Sequence, residues 1–179
     1  MDVATTRQSS SPPPLVDRSL EDLAAYSAAE LRELYEKATV PKSMRVLDGA
    51  FCGRLLAPAG PGAFLFAGLV RRLAGSRYFP WLGKTIAIAD DSGGTGKNSL
   101  SLGLRMDKVP FVIRFDDSVV DGKRCIVLDY DLEENPGVVR RIGDELREVC
   151  PGLFMGPFIL RPFGIIGWWA LDARRGIAR

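Results

Sequence analysis

What limits the fold most is that the chain beyond residue 84 is cut into short apolar runs with turn residues between them. Candidate strands lie at Lys84 to Ala89, Asn98 to Met106, Phe111 to Val120, Lys123 to Asp131, Leu153 to Leu160 and Ile165 to Asp172. An earlier one, Val46 to Leu56, carries Gly49 and Gly53, which permit a bulge or strong curvature. The last two runs, within "LFMGPFILRPFGIIGWWALD", are apolar on both faces. Strands read that way when both sides are covered or when they line a closed apolar interior. The expected fold is an α+β domain on a curved, mainly antiparallel sheet of about seven strands. It is closed or nearly closed into a barrel, with two to three helices packed on an end or a face.

Three segments are candidates for those two to three helices. In "SAAELRELYEKA", Ser27 stands three residues before Glu30, a capping box, and Leu31, Leu34, Tyr35 and Ala38 follow on one face. The apolar segment Ala63 to Ala74 is too short for the roughly 20 residues of a membrane span and reads as core, lid or peripheral membrane contact. A third helix is expected over 136–149: Asn135 as N-cap, Pro136 at the first position, and an apolar stripe of Val138, Val139, Ile142, Leu146 and Val149. Arg140/Asp144 and Arg141/Glu145 would pair on its solvated side, and "CPG" at Cys150 to Gly152 would end it.

Asp121-Gly122 suits a two-residue hairpin turn between Phe111 to Val120 and Lys123 to Asp131. That turn would set Val120 opposite Lys123, Phe115 opposite Leu128, Ile113 opposite Tyr130 and Arg114 opposite Asp129. Phe111, Ile113, Phe115, Ile126, Leu128 and Tyr130 would share one face, and Arg114, Asp116, Lys123, Asp129 and Asp131 the other.

A chain of 179 residues, 46% hydrophobic, suits one domain over 21–179 behind a flexible Ser- and Pro-rich tail at 1–20. The 24 Lys and Arg are balanced by 22 Asp and Glu and mixed along the chain, so no nucleic-acid partner is expected. There is no histidine, which excludes imidazole general bases, Ser-His-Asp and Cys-His catalysis, and histidine-held metals. Cys52, Cys125 and Cys150 have no zinc or disulfide spacing and read as small core residues of a reducing compartment. No apolar signal core opens the chain, so a cytoplasmic location is expected, with no transmembrane segment, cofactor or metal.

"ADDSGGTGKNSL", Ala89 to Leu100, imitates a phosphate-binding loop. Asn98 stands where the magnesium-binding hydroxyl belongs, Asp90 and Asp91 bring negative charge, and Leu100, Leu102 and Leu104 alternate as in a strand instead of opening a helix. A glycine-rich connection between antiparallel strands is the stronger reading, with a degenerate nucleotide binder the weaker one.

"FPWLGK" before a strand, with "LDYDLEENPGVVRRIGDELREVCPGLFMG", resembles a group of small, mostly uncharacterised bacterial proteins carrying W-x-G-K and D-Y-D-x-x-x-N-P, over roughly Leu31 to Leu171. A looser similarity is to calycin-type barrels such as lipocalins, which implies an antiparallel barrel around an apolar ligand. The long helix expected over 136–149 and the order of residues about Trp81 depart from that group. The leading function is therefore binding of a hydrophobic or amphipathic small molecule: a lipid, pigment or metabolite. Trp81, Phe115, Tyr130, Phe158, Trp168 and Trp169 are candidates to line the site, and Arg114 and Arg54 to supply polar contacts. Lys84 is a further candidate of no special rank. The alternative is a small-molecule enzyme using carboxylate acid–base chemistry, with Asp129, Asp131 and Asp116 as its groups.

Overall fold

Eight strands follow one another around a barrel, each antiparallel to the next, and the last pairs with the first. A computed structural model describes residues 17–60, 81–101 and 105–177. The strands are β1 (Gly49–Pro58), β2 (Trp81–Asp90), β3 (Gly93–Ser101), β4 (Arg105–Asp117), β5 (Arg124–Asp129), β6 (Ile142–Cys150), β7 (Leu153–Leu160) and β8 (Gly164–Gly176). Pairing of β8 with β1, from Cys52 opposite Asp172 to Pro58 opposite Gly167, closes the ring. Two short helices, α1 (Leu20–Ala24) and α2 (Ala28–Lys37), precede it. Both open on capping boxes: Ser19 with Asp22, and Ser27 with Glu30.

Alternation along the strands divides the apolar residues into two layers. Ile86, Ile88, Phe111, Ile113, Ile126, Leu128, Leu146, Phe154, Trp169 and Leu171 fill the barrel. Val149, Leu153, Met155, Trp168 and Ala170 point outward and are covered by Leu20, Leu23, Leu31 and Tyr35 of the helices. That is why β7 and β8 are apolar on both faces: one faces the interior, the other the helices. From α2 the chain bridges to β6 through Thr39 and Glu148, then turns in a 3₁₀ segment, Met44–Leu47. Met44 and Leu47, fully buried, plug the barrel end that holds the β2–β3, β4–β5 and β6–β7 turns. Each stabilises the fold by roughly 1.5–3 kcal/mol. The Asp48 carboxylate accepts a hydrogen bond from the Ile88 amide at 3.2 Å and ties the plug to β2.

Three expectations need correction. The helix expected over 136–149 is not there. Its start signals make one 3₁₀ turn, Val139–Arg141, and Ile142–Cys150 is strand β6, bonded to β5 and β7. Asn135 does not cap; its amide donates to the carbonyls of Pro110 at 2.8 Å and Tyr130 at 2.9 Å. Arg140 pairs with Asp131 at 2.7 Å instead of Asp144. Pro151-Gly152 is the two-residue turn of the β6–β7 hairpin, not a helix stop. Two flanking strands outweighed the local helical preference.

The β4–β5 register is the second correction. Ile113 faces Leu128, Phe115 faces Ile126 and Arg114 faces Val127, a slip of two residues from the expected pairing. A two-residue slip keeps every side chain on its face, so the inward and outward sets stand. The turn is wider because Ser118 closes it at both ends: its amide donates to Lys123 O at 2.9 Å, and its carbonyl accepts from the Gly122 amide at 2.9 Å. Thirdly, the single strand expected over Asn98 to Met106 divides between the end of β3 and the start of β4. The helix expected over Ala63 to Ala74 lies outside the described residues, as does most of the 1–20 tail. Among the described residues no helix is long and apolar enough to cross a membrane.

Candidate functional site

The site is built at the start of β2, where Trp-Leu-Gly-Lys breaks strict alternation. Trp81 faces Leu100 of β3 and Gly83 faces Ser99, so β2 carries one extra residue between them. That bulge turns Trp81 and Lys84, three residues apart, to the same interior. Gly83 has φ +147°, and a Cβ there would lie 1.9 Å from the Phe51 carbonyl oxygen, so only glycine fits. On β1, the Trp81 ring occupies the space that a Cβ on Gly53 would need, 2.4 Å away.

Lys84 is 2% exposed, and all three of its ammonium protons have acceptors. Nζ lies 3.0 Å from Asp144 Oδ2 and 2.9 Å from Asn98 Oδ1, and it also donates to Tyr130 Oη. Tyr130 in turn donates to Asp144 Oδ2 at 2.9 Å. Asn98 Oδ1 also accepts from Trp81 Nε1 at 2.9 Å, and its amide group donates to Tyr130 Oη at 3.3 Å. Four rings surround the ammonium: Trp169 at 4.5 Å from Nζ to its centroid, Phe111 at 5.1 Å, Tyr130 at 5.2 Å and Trp81 at 5.5 Å. Their faces attract a cation that is out of reach of water.

Burial sets the protonation chemistry. It pushes the Lys84 ammonium below the ordinary lysine value, against the opposing pull of Asp144. It lifts the Tyr130 hydroxyl well above the ordinary tyrosine value, and the Asp144 charge adds to the rise. Tyr130 therefore stays a neutral donor at any physiological pH.

Above this cluster, toward the barrel end opposite the plug, lies a cavity of about 380 Å³. Leu55, Trp81, Leu100, Val109, Val139, Ile142, Phe158 and Trp169 give it apolar walls; Lys84, Asn98, Tyr130 and Asp144 are its polar part. Among the described residues two buried side-chain polar atoms have no hydrogen-bond partner, Asp144 Oδ1 and Trp169 Nε1, and both residues belong to its lining. Among the described residues no group of three or more Cys, Asp and Glu is placed to hold a metal ion.

Of the residues expected in a site, Trp81, Tyr130, Phe158 and Trp169 meet at this cavity with Lys84. Phe115 also faces inward, but near the plugged end, beside Val40 and under the Arg124 guanidinium at 4.4 Å. Trp168 points outward and packs against Tyr35 with ring centroids 5.7 Å apart. Arg54 lies outside the barrel, 3.8 Å from Glu21. Arg114, Asp116, Asp129 and Asp131 also lie outside. Arg114 spans Asp116 at 3.0 Å and Asp129 at 3.3 Å, Arg161 reaches Asp129 at 3.3 Å, and Asp131 is held by Arg140. Burial, which raises the Asp129 carboxyl, is outweighed by the Asp131 amide and the two arginines, which hold it below its ordinary value. The carboxylate chemistry expected of Asp116, Asp129 and Asp131 therefore has no access to the cavity.

Asp144 and Asn98 were missed. Asp144 sat within the misread helix; read as a strand, Ile142-Asp144-Leu146 puts a carboxylate in line with two inward apolar residues, which is an alarm in itself. Asn98, in the sequence, shows only that the magnesium-binding hydroxyl of a phosphate loop is absent. The glycine-rich stretch is the β2–β3 hairpin, turning at Asp91-Ser92, with Asp90 opposite Gly93. No helix opens there, and the Phe111 ring fills the space beside Gly96 that a Cβ would take, 2.4 Å away.

No family model matches the chain, and no curated protein sequence does. Among solved structures it is similar to a protein from Thermomonospora curvata, at 17% identity and a TM-score of 0.47, over 83% of this chain and 88% of that one.

Proposed function

We propose that this protein binds one hydrophobic or amphipathic small molecule inside the barrel, at the end opposite the plug. The observation that carries the reading is the cavity of about 380 Å³ with apolar walls and a small polar cluster. Ligand sites have this composition and a volume of about 300–1,000 Å³. A closed eight-stranded up-and-down barrel is wide enough to enclose one such ligand, the arrangement lipocalins use. A ligand hiding about 250 Å² of apolar surface there gains about 6 kcal/mol before the cost of immobilising it.

The test is titration with 1-aminoanthracene, an uncharged apolar fluorophore, followed by energy transfer from Trp81 and Trp169. Saturable 1:1 binding in the micromolar range is expected. Leu55→Trp, which fills the cavity from the β1 wall, should weaken it at least tenfold. Absence of binding, or an affinity indifferent to Leu55→Trp, would remove the proposal.

A further inference from the structure

The polar residues of the cavity form a layer across the barrel. On β3, Asn98 stands between Gly96 and Leu100 among the inward positions, and on β6 Asp144 stands between Leu146 and Ile142. Lys84 precedes Ile86 on β2, and Tyr130 follows Leu128 of β5. Ile86, Leu128 and Leu146 belong to the solid core on the plug side, whereas Leu100 and Ile142 line the cavity. The cluster is therefore the floor of the cavity, and a ligand coming from the open end meets it last. The mouth is close above it. β3 ends at Ser101, three residues past Asn98, and β7 ends at Leu160, two past Phe158, which lies opposite Asp144. At about 3.3 Å per residue the rim stands about 10 Å or less above the floor.

The floor has no polar group to offer. The Lys84 ammonium has three protons and three acceptors. Tyr130 Oη donates to Asp144 Oδ2 and accepts from Lys84 and Asn98, which fills a hydroxyl. Asn98 accepts from Trp81 and Lys84 through Oδ1, and its two Nδ2 protons go to Tyr130 and to the Val109 carbonyl at 3.4 Å. Asp144 Oδ1 and Trp169 Nε1, which have no partner, are sealed from water by their neighbours and so from a ligand too. A hydroxyl or amide carried down to the floor would give up its water and gain no hydrogen bond. A methyl group or a ring edge gives up none on the way in, and it has the Trp81 and Trp169 rings to pack on.

Resting on the binding role proposed above, we infer that the ligand enters tail first: a hydrocarbon or aryl terminus lies against the floor, and any polar group it carries stays at the mouth, in water. The ligand class is thus apolar at one end at least, and molecules polar at both ends are excluded. The Lys84 cluster acts as a closed polar floor that selects by refusing hydrogen bonds, not by making them.

Displacement of 1-aminoanthracene by 1-decanol, decanamide and 1,10-decanediol, equal in chain length, tests this. Decanol and decanamide should displace the probe at concentrations within about fivefold of each other, because their heads stay in water. The diol, which has no apolar end, should need at least tenfold more than decanol. Tyr130→Phe leaves Lys84, Asn98 and Asp144 Oδ2 each one partner short, so the floor gains groups that a hydroxyl can use. The gap between diol and decanol should narrow at least threefold in that variant, and an unchanged gap would mean that the floor does not cause it. A diol as effective as decanol, or a difference above tenfold between decanol and decanamide, would likewise overturn the inference, while probe binding keeps the cavity reading alive. Failure of the probe to bind would overturn both. Should Tyr130→Phe not fold, the wild-type series still decides.

Discussion

Arg147, of a residue type mostly left in solvent, is here made part of the fold. It is 1% exposed, and each of its five N–H groups has an acceptor. Asp121 takes two, at 2.9 and 2.7 Å; the carbonyls of Arg124, Tyr35 and Lys123 take the rest at 3.1, 3.2 and 2.8 Å. The guanidinium lies over the Tyr35 ring at 4.4 Å, so one side chain joins β6, α2 and the β4–β5 turn. A lysine has neither the fork nor the plane. Arg147→Lys is expected to cost about 3 kcal/mol in urea unfolding at pH 7. The pH dependence follows with a definite sign. The Arg147 hydrogen bonds hold the Asp121 carboxyl down at about 2, below its ordinary 3.8. A depressed carboxyl stabilises the folded state above its unfolded value, and that contribution disappears as pH falls from about 4 through about 2. The wild-type protein should lose stability steeply across that window, and Arg147→Lys should show a shallower slope; equal slopes would mean that Asp121 is not governed by Arg147.

At the scale of elements, two strands carry opposite lessons. On β2 the bulge between Trp81 and Gly83 aims two side chains into the barrel, and its geometry depends on a glycine at φ +147° against the Phe51 carbonyl. Gly83→Ala should therefore cost more than about 3 kcal/mol or yield insoluble protein, whereas Gly122→Ala, at φ +69° with nothing within 4 Å of the added carbon, should cost about 1 kcal/mol. Thermal or urea unfolding of the pair separates crowding from backbone preference; similar losses would deny the bulge its special role. On β6 the same local rules misled. Asn-Pro, acidic neighbours and a 3.6-residue stripe all specify a helix, yet Glu145 and Arg147 are fixed by Tyr35, Ser118 and Asp121, which lie 26 or more residues from the groups they hold. Period-2 patterning identified β2, β4 and β5, whose apolar and polar residues alternate, and continuous apolar runs bounded by turn residues identified β7 and β8. Alternation failed on β6 because both its faces are covered and its outward positions are charged. The β4–β5 faces were legible for the same reason of period, but its register was not, since Ser118 and Glu145 set the turn through contacts that Asp-Gly does not reveal. In the cavity, Trp81, Tyr130, Phe158 and Trp169 could be named from their type, whereas the Lys84–Asp144 pair needed β6 to be a strand.

As a whole molecule the barrel divides its tasks between its ends. At one, Met44, Leu47, Ile88, Ile113 and Phe154 leave a solid core; at the other, the same ring of strands holds an open volume around a polar cluster. Solid packing serves stability, because each buried side chain there adds contacts that no ligand supplies. Buried polar atoms without partners lower stability, and the ligand proposed above would raise it by binding the folded state alone. The two functions should therefore separate by mutation. Leu47→Ala in the plug removes a fully buried side chain and should cost about 2–5 kcal/mol, with the affinity for 1-aminoanthracene unchanged within twofold once the protein is folded. Phe158→Ala at the cavity wall, where the side chain is only partly buried, should cost less in stability and weaken the probe at least fivefold. Urea midpoints and fluorescence titrations on both variants give four numbers, and the prediction lies in their crossing. If Leu47→Ala weakens binding as much as Phe158→Ala does, the interior is one continuous compliant core. The plugged end then helps to shape the ligand site instead of standing apart from it.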